Sequence, residues 1–466
     1  MAAGHGPLRR RLSAVLVMLA VALPACRAAA EAMVPVAPQQ AREAAVAAWQ
    51  AGDLATARLI AQNLVARDAS DPLAQHLLAL IALAEGKLPE ARQAARRAYG
   101  GAQSDLQRRS AALVAANVAA REARGLALRY WLRQATDATD DATARAQGRA
   151  ALNNLRALSP WSSALRFSLS PSSNVNGGAD SAFNIVEGVD YIGTLDGDAQ
   201  ALSGVIGTMT GDLGYRIAQS ATSETRLTSR LYLKRVALSA EAKEQAVSLT
   251  ASDLATTSLD LGVTHLMRPE GMQGTLELGL SFGLNEEGDD AARSLRLDAT
   301  RRRPLGRTGE ITLGVGWDME QDLTGARQAR QMPSLNFAAS HRLASGDRIG
   351  ASAVAYGVHS EIANQRRFGG QLRMQYTLGQ PVGSFSLGGS LGASYTRYPN
   401  YMVLFDHPEG GRRDVTLFGE VTLGLDKMSW AGFAPTVTLR ASQSDSNVSA
   451  FDTRQIGVMI GIKSLF

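Results

Sequence analysis

The stretch that most constrains this chain is its end, Trp430 to Phe466, reading WAGFAPTVTLRASQSDSNVSAFDTRQIGVMIGIKSLF. In its final part Ile456, Val458, Ile460 and Ile462 fall on one side, with Gln455, Gly457, Gly461 and Lys463 on the other. A period of two with an apolar outer row suits a strand whose one face meets lipid and whose other face meets a lumen. A soluble sandwich also alternates, so the period alone does not decide between the two.

Alternation fills the chain from Trp161 onward. Leu276, Leu278, Leu280, Phe282 and Leu284 interleave with Thr275, Glu277, Gly279, Ser281 and Gly283, and segments near Leu227, Ile311, Leu372 and Val415 repeat the pattern. About fourteen such segments can be counted, an even number as bacterial barrels require. Their connections alternate in length. Short ones lie near Ala218–Ser223, Arg268–Gly271, Pro304–Gly306, Ala344–Gly346, Gly379–Val382 and Asp426–Gly432. Long ones lie near Pro171–Ala201, Ser239–Ser252, Asn285–Ala291, Asp322–Arg327, Glu361–Arg366, Tyr398–Gly411 and Asp445–Ala450. Short turns on the periplasmic side and long loops outside are the habit of outer-membrane barrels. Small inward positions (Gly279, Ser281, Gly283, Ser386, Gly388, Ser390) predict a lumen with room in it, and Arg226, Arg230, Glu277, Arg296, Asp298, Arg373 and Glu420 are the charges available to line it.

Before Pro160 the texture is different. From Gln39 to Leu158 the chain is rich in Ala, Leu, Arg and Gln, good helix formers, and it repeats. Ala51-Gly52-Asp53-Leu54 with Ala57-Arg58 recurs as Glu85-Gly86-Lys87-Leu88 with Ala91-Arg92, at an offset of 34 residues. That is the tetratricopeptide period, with Gly52 and Gly86 at the turns inside helix pairs and small alanines where helices approach. Pro72 suits the first position of the next helix. Gly125 falls five residues late against Gly86, so the repeat reads as degenerate from Leu106 on, with Trp131, Leu152 and Leu155 packing the last helices. Arrays of this kind mostly present a concave surface to a client protein.

The first thirty residues read as a signal peptide: Arg9, Arg10 and Arg11, an uncharged run from Leu12 to Ala25, then small residues with cleavage expected after Ala30. Leu23-Pro24-Ala25-Cys26 also resembles a lipobox, though Pro24 suits it poorly; with simple cleavage the only cysteine is discarded. No later apolar run approaches the ~20 residues of a membrane helix. The formal charge of +5 is partly leader: removing Arg9, Arg10, Arg11 and Arg27 leaves a mature chain near +1. Residues 37–158 carry 16 Lys+Arg against 11 Asp+Glu, and residues 159–466 carry 28 against 31. Neither balance nor motif points to nucleic acid.

Catalytic chemistry finds little footing. His5, His76, His265, His341, His359 and His407 stand without a second ligand at metal spacing, so no metal site is expected. No G-x-S-x-G elbow occurs, and Gly388-Gly389-Ser390-Leu391-Gly392 lacks the Lys and helix of a phosphate loop. Asn285 to Asp290, NEEGDD, reads as a solvated loop tip, with calcium as the sharper alternative. No catalytic residue and no cofactor is expected.

Several blocks together resemble one family. Trp161 with Pro171-Ser172-Ser173-Asn174-Val175-Asn176 is similar to the first-strand signature of the surface lipoprotein assembly modulators (Slam). Arg413-Asp414, then Trp430-Ala431-Gly432-Phe433-Ala434-Pro435, look like that family's penultimate segment, and Ser446, Asn447, Phe451, Arg454 and Phe466 match its closing strand. The terminal Phe466 behind Ile460 and Ile462 also looks like the signal read by the outer-membrane barrel-assembly machinery. The resemblance implies a translocator: a periplasmic tetratricopeptide domain, here at 37–158, joined to a fourteen-stranded barrel, here at 161–466. It implies a client lipoprotein or secreted protein as partner, and neither nucleotide nor cofactor. Departures are the short helical domain and the long first loop, Gly177 to Ala201. Two other readings share parts of this architecture. An exopolysaccharide export porin would carry a longer array and a single-charge stripe in its lumen, and a general diffusion porin would need no repeats. The expected fold is therefore α plus transmembrane β: helical repeats, then an antiparallel outer-membrane β-barrel.

Overall fold

The computed structural model describes residues 37–188, 192–324, 329–403, 407–425, 428 and 433–464. The expected signal peptide with Cys26, and Trp430, Gly432 and Phe466, lie outside the described residues.

Among the described residues seven helices come first: α1 Pro38–Gln50, α2 Leu54–Arg67, α3 Pro72–Ala84, α4 Leu88–Gly101, α5 Asp105–Arg121, α6 Gly125–Asp137 and α7 Ala142–Leu158. Each start is set locally. Asp53 caps α2 by accepting from the Thr56 N–H at 3.0 Å, and Asp71 caps α3 by accepting from Leu73 and Ala74, with Pro72 at the first position. Gly52 and Gly86 take left-handed φ values of +79° and +74° in the α1–α2 and α3–α4 turns. Ala45, Ala57, Ala61, Ala79, Ala91 and Ala95 are fully buried between the helices, which is why the repeat keeps alanine there. Trp131 is buried with its ring edge-on to Tyr99 at 5.2 Å, and Leu152 is buried too, while Leu155 is only half-buried.

The repeat does not decay where the sequence suggested. α5 and α6 form a third pair, and its turn is made by Ala123, not Gly125. Ala123 holds φ +55°, and Arg124 N–H donates to Ala119 O at 2.9 Å, as Lys87 does to Ala82 and Asp53 to Ala48. Gly125 is the first residue of α6. Without a glycine to mark it, the turn was invisible to an alignment on Gly86, although Glu122-Ala123-Arg124 echoes Glu85-Gly86-Lys87.

The second part is a closed antiparallel barrel. Among the described residues fourteen strands take part: β1 Trp161–Ser172, β4 Gly204–Gln219, β5 Ser223–Leu238, β6 Thr256–Met267, β7 Thr275–Glu287, β8 Asp290–Leu305, β9 Gly309–Asp322, β10 Ala329–Arg342, β11 Arg348–Ser360, β12 Arg367–Thr377, β13 Ser386–Tyr398, β14 Arg412–Gly424, β15 Phe433–Ser446 and β16 Thr453–Ser464. Each pairs with its neighbour in the chain, and β1 closes on β16. A small hairpin, β2 Phe183–Ile185 and β3 Ile192–Thr194, sits in the β1–β4 loop, and a short helix, α8 Ala240–Gln245, sits in the β5–β6 loop. Leu278, Leu280, Phe282, Leu335, Leu372, Leu391, Leu417 and Ile460 are exposed on the outside, a belt of apolar side chains that only a bilayer would cover. The barrel is of the outer-membrane type.

Short turns gather at the end where α7 enters β1, and longer loops gather at the other. One expected long loop is not there. β7 and β8 run on through Glu287 paired with Asp290, leaving a tight turn at Gly288 with φ +57°. The NEEGDD run is thus mostly strand, and its charges lie along two strand ends.

Candidate functional site at the barrel mouth and seam

The lumen wall carries its charges as ion pairs. Asp212 accepts from Arg166 and Arg230, each at 2.7 Å, and Glu420 pairs with Arg440 at 3.1 Å and Arg373 at 3.6 Å. Arg296 pairs with Asp318, Arg302 with Glu277, Arg330 with Glu320, and Arg226 with Glu224. Among the described residues Asp298 is the one expected lining charge without an ion pair; its carboxylate fills the space where a Cβ on Gly279 would fall. Cations and anions alternate as pairs around the wall. There is no stripe of one sign among the described residues.

The long-loop end is where the sequence motifs meet. The β1–β4 loop forms a lid in which Asn174 folds the first leg and Asn176 ties it to the second. Asn174 is buried, accepts from Gly178 N–H at 2.9 Å and donates to Gly178 O at 2.7 Å. Asn176 donates to Asp198 O and Gln200 O and accepts from Leu202 N–H, at 2.9, 2.8 and 2.9 Å. One amide thereby satisfies three backbone groups more than twenty residues away along the chain.

From these legs the lid reaches both ways. On one side the Asp198 carboxylate accepts from the Val247, Ser248 and Leu249 N–H groups and the Ser248 hydroxyl. The Ser248 hydroxyl and these amides hold the Asp198 carboxyl below its ordinary pKa. Val175, Leu202, Leu238 and Ala242 form a small apolar core beneath. On the other side Asp180 N–H donates to Asp452 O, and Asp180 Oδ1 accepts from Arg454 N–H at 2.9 Å. Glu187 N–H donates to Asn447 O, and Val186 bridges to Val448. Burial pushes the Asp452 carboxyl up.

Next to that contact lies a boxed cation. Arg412, 8% exposed, makes a forked pair with Asp414 at 2.7–3.1 Å and is ringed by Phe451, Tyr398 and Tyr401 at 3.2, 4.1 and 5.1 Å from its guanidinium carbon. Asp414 also accepts from Ser446 Oγ at 2.7 Å. The Asn447 amide donates to Gly411 O and accepts from Arg413 N–H, at 2.9 and 2.7 Å, and Arg413 reaches Glu187 of the lid at 3.5 Å.

Asn174, Asn176, Arg413, Asp414, Ser446, Asn447 and Arg454 therefore meet at one end of the barrel, over the strands β16, β1 and β4. Trp161 and Pro435 do not join them. Trp161 lies at the opposite rim, exposed, with its ring 4.5 Å from Tyr215, and Pro435 stands opposite Ile462 in the β15–β16 register. Ile460 and Ile462 face outward, opposite Leu169 and Phe167. The sequence reading missed Arg412, which is the buried member of the Arg412-Arg413-Asp414 run, along with Tyr398, Tyr401 and Asp198. Three aromatics near the ends of long loops were the available signal.

The lid spans an uneven seam. β1 pairs with β4 without a break from Trp161↔Tyr215 to Ser172↔Gly204. Against β16 it pairs from Arg166↔Lys463 to Leu169↔Ile460, then only at Ser172↔Gly457. The gap holds Pro171, which has no N–H to give. Its carbonyl faces β16, 3.1 Å from where a Cβ on Gly457 would stand, so the missing donor falls on the seam itself. At the other end the Leu165 N–H turns to the Ser464 hydroxyl.

No known family model matches the sequence, and no curated protein does. Solved structures are similar in two separate parts. The outer-membrane channel DcaP of Acinetobacter baumannii aligns at 9% identity over 65% of this chain and 96% of its own, TM-score 0.37. A BenF-like porin from Pseudomonas fluorescens Pf-5 aligns at 9% over 65% and 98%, TM-score 0.33. The type III secretion translocator chaperone SycD of Yersinia enterocolitica aligns at 15% identity over 26% of this chain and 83% of its own, TM-score 0.24.

Proposed function

We propose that the chain is an outer-membrane translocator. Its helical array, on the periplasmic side, collects a lipoprotein or secreted protein, and the barrel passes that client to the cell surface. The observation that carries this reading is the coupling of array to barrel. Arg216 of β4 donates to Ala157 O at 2.9 Å and Leu158 O at 3.0 Å, the last carbonyls of α7, while its own N–H donates to Pro160 O. A cation on a helix C-terminus is favourable by charge as well as by hydrogen bonding. The array is thus held at the rim with the short turns, where a diffusion channel would have no use for it. Paired lumen charges also suit a polypeptide route better than a polyanion or polycation track.

Asn174, Asn176, Arg413, Asp414, Ser446, Asn447 and Arg454, from the motifs that resemble the surface lipoprotein assembly modulators, support the same reading, since they meet at the lid and seam that a client would pass. Assembly of the barrel through its last strand, by the barrel-assembly machinery, belongs to this proposal. No nucleotide site is invoked, so export is drawn by client folding outside or by a partner.

The test is protease shaving of intact cells with and without the protein, followed by identification of what leaves the surface. Loss of one lipoprotein or secreted protein from the surface, with its retention inside, supports the translocator. An unchanged surface proteome with reduced polysaccharide or solute flux overturns it in favour of an export or diffusion porin.

A further inference from the structure

The outside of the barrel is not uniformly bulky. β11 presents Ala351, Ala353, Ala355 and Gly357 to the bilayer, between Leu335 and Phe337 of β10 and Leu372 and Met374 of β12. Of these, Ala353 and Ala355, together with Gly370, floor an apolar groove of about 950 Å³ walled by Leu335, Phe337 and Leu372. A run of small residues proves nothing by itself. What distinguishes this groove is the side chain at its end nearest the helical array.

Arg301 lines the groove and lies on the outward row of β8, opposite Leu276 of β7 and Leu313 of β9. Its Nη2 donates to Gln273 O at 2.6 Å, but Nη1 is buried without any partner. Arg303 is the next outward residue on the same strand, and Arg307 follows in the β8–β9 turn; neither has a carboxylate partner among the described residues. The nearby acids are spent or elsewhere: Glu277 pairs with inward Arg302, Glu310 faces inward opposite Pro304, and Glu270 lies in the neighbouring turn beside Arg268. A lipid-facing arginine is unfavourable unless an acceptor reaches it, and a phosphate offers both charge and two acceptor oxygens to a planar guanidinium.

We propose that this face binds an anionic glycerophospholipid of the leaflet nearest the helical array. Arg301 and Arg303 hold its phosphate, and one acyl chain lies along the groove over Ala353, Ala355 and Gly370. The bilayer lipid is the occupant; it is independent of what the barrel transports. Binding at this place anchors β8–β12, so the rigid wall stands across from the interrupted β1–β16 seam.

The test is native mass spectrometry of the full chain in mild detergent, titrated with dioleoyl phosphatidylglycerol and, separately, dioleoyl phosphatidylcholine. The wild type is expected to retain one phosphatidylglycerol after phosphatidylcholine has been stripped. R301Q/R303Q is expected to bind it roughly thirtyfold more weakly, the factor for losing two basic contacts at an anionic surface. A353L/A355L, which fills the groove but keeps every charge, is expected to weaken it as well. R301K/R303K guards against misfolding, because it keeps the charge and should fall between wild type and R301Q/R303Q. Equal retention by all variants overturns the proposal. So does a loss confined to R301Q/R303Q, which would mean surface charge without a groove. Displacement by inorganic phosphate alone would mean an anion site, and that result also overturns it.

Discussion

The helical array and the barrel mouth are held together in opposite ways, and the contrast explains why one is easy to read and the other is not. In the array each junction is local. Asp53 caps a helix three residues on, Gly52 turns the chain between neighbours, and buried alanines repeat in step. In the mouth the bonds join distant segments: Arg454 to Asp180 across 274 residues, and Gln455 to Ser172 across 283. Local bonds form early at small entropic cost, whereas the mouth's contacts wait until the barrel has closed. The lid then covers a seam that lacks one backbone donor at Pro171, so tertiary side-chain bonds make up for weaker strand pairing there.

The strongest way to break this contrast is Arg412→Ala. It removes a buried cation from three aromatic rings and leaves the half-buried Asp414 without its partner, a loss of about 3 kcal/mol for breaking a largely buried pair. Heat-modifiable gel mobility of the folded barrel should shift to lower temperature, and Arg412→Lys should recover only part, since the forked geometry is lost. An unchanged transition would show that the box contributes nothing to closure.

Asn176→Ala comes next. Removing one amide that serves three backbone groups should cost roughly 2 kcal/mol, borne by the lid alone. Limited proteolysis should cut within Gly177–Ala201 faster in the variant, with the barrel transition unmoved. Equal cutting rates would mean that the legs are held by the apolar core around Leu202 instead.

In the array the informative change has the opposite sign. Ala123→Gly relieves a left-handed residue and should stabilise the helices by about 1 kcal/mol, seen as a higher midpoint in the 222 nm circular dichroism melt. Ala123 should be the one turn where glycine helps; Gly52→Ala and Gly86→Ala should lower the midpoint. No gain at Ala123 would remove it from the repeat.

The smallest effect separates the two regions by pH. Burial holds the His76 imidazole in α3 below its ordinary pKa of about 6.5. A depressed value means that the stability is whole above pH ~6.5 and is lost as pH falls toward the folded value. The depressed Asp198 in the lid behaves alike, but its loss begins only below an ordinary value of 3.8. Between pH 6.5 and about 4.5 the array melt should therefore weaken while the lid, whose raised Asp452 can only gain stability as pH falls, does not loosen, and His76→Gln should abolish the change in the array. A lid that loosens in this window would mean that some other group governs it.

Much of the molecule was open to reading from residues alone. The period of two gave the strand count and the outward row ending at Ile460 and Ile462, because one face must meet lipid and the other must not. The 34-residue offset gave the first two helix pairs, because a left-handed turn favours glycine and close helices favour alanine. Three features were settled only by tertiary structure. The third turn sits at Ala123, where surrounding helix packing overrides a local preference that would have chosen glycine. The NEEGDD run became mostly strand because β6 pairs with β7 as far as Glu287 and Glu287 in turn pairs with Asp290, a register that the run's own composition does not show. And of the Arg412-Arg413-Asp414 run, strand alternation turned Arg412 inward among Tyr398, Tyr401 and Phe451, rings that the packing of the β13–β14 and β15–β16 connections brings together. Periodicity is a property of a segment, while the partner of a buried charge is a property of the closed fold.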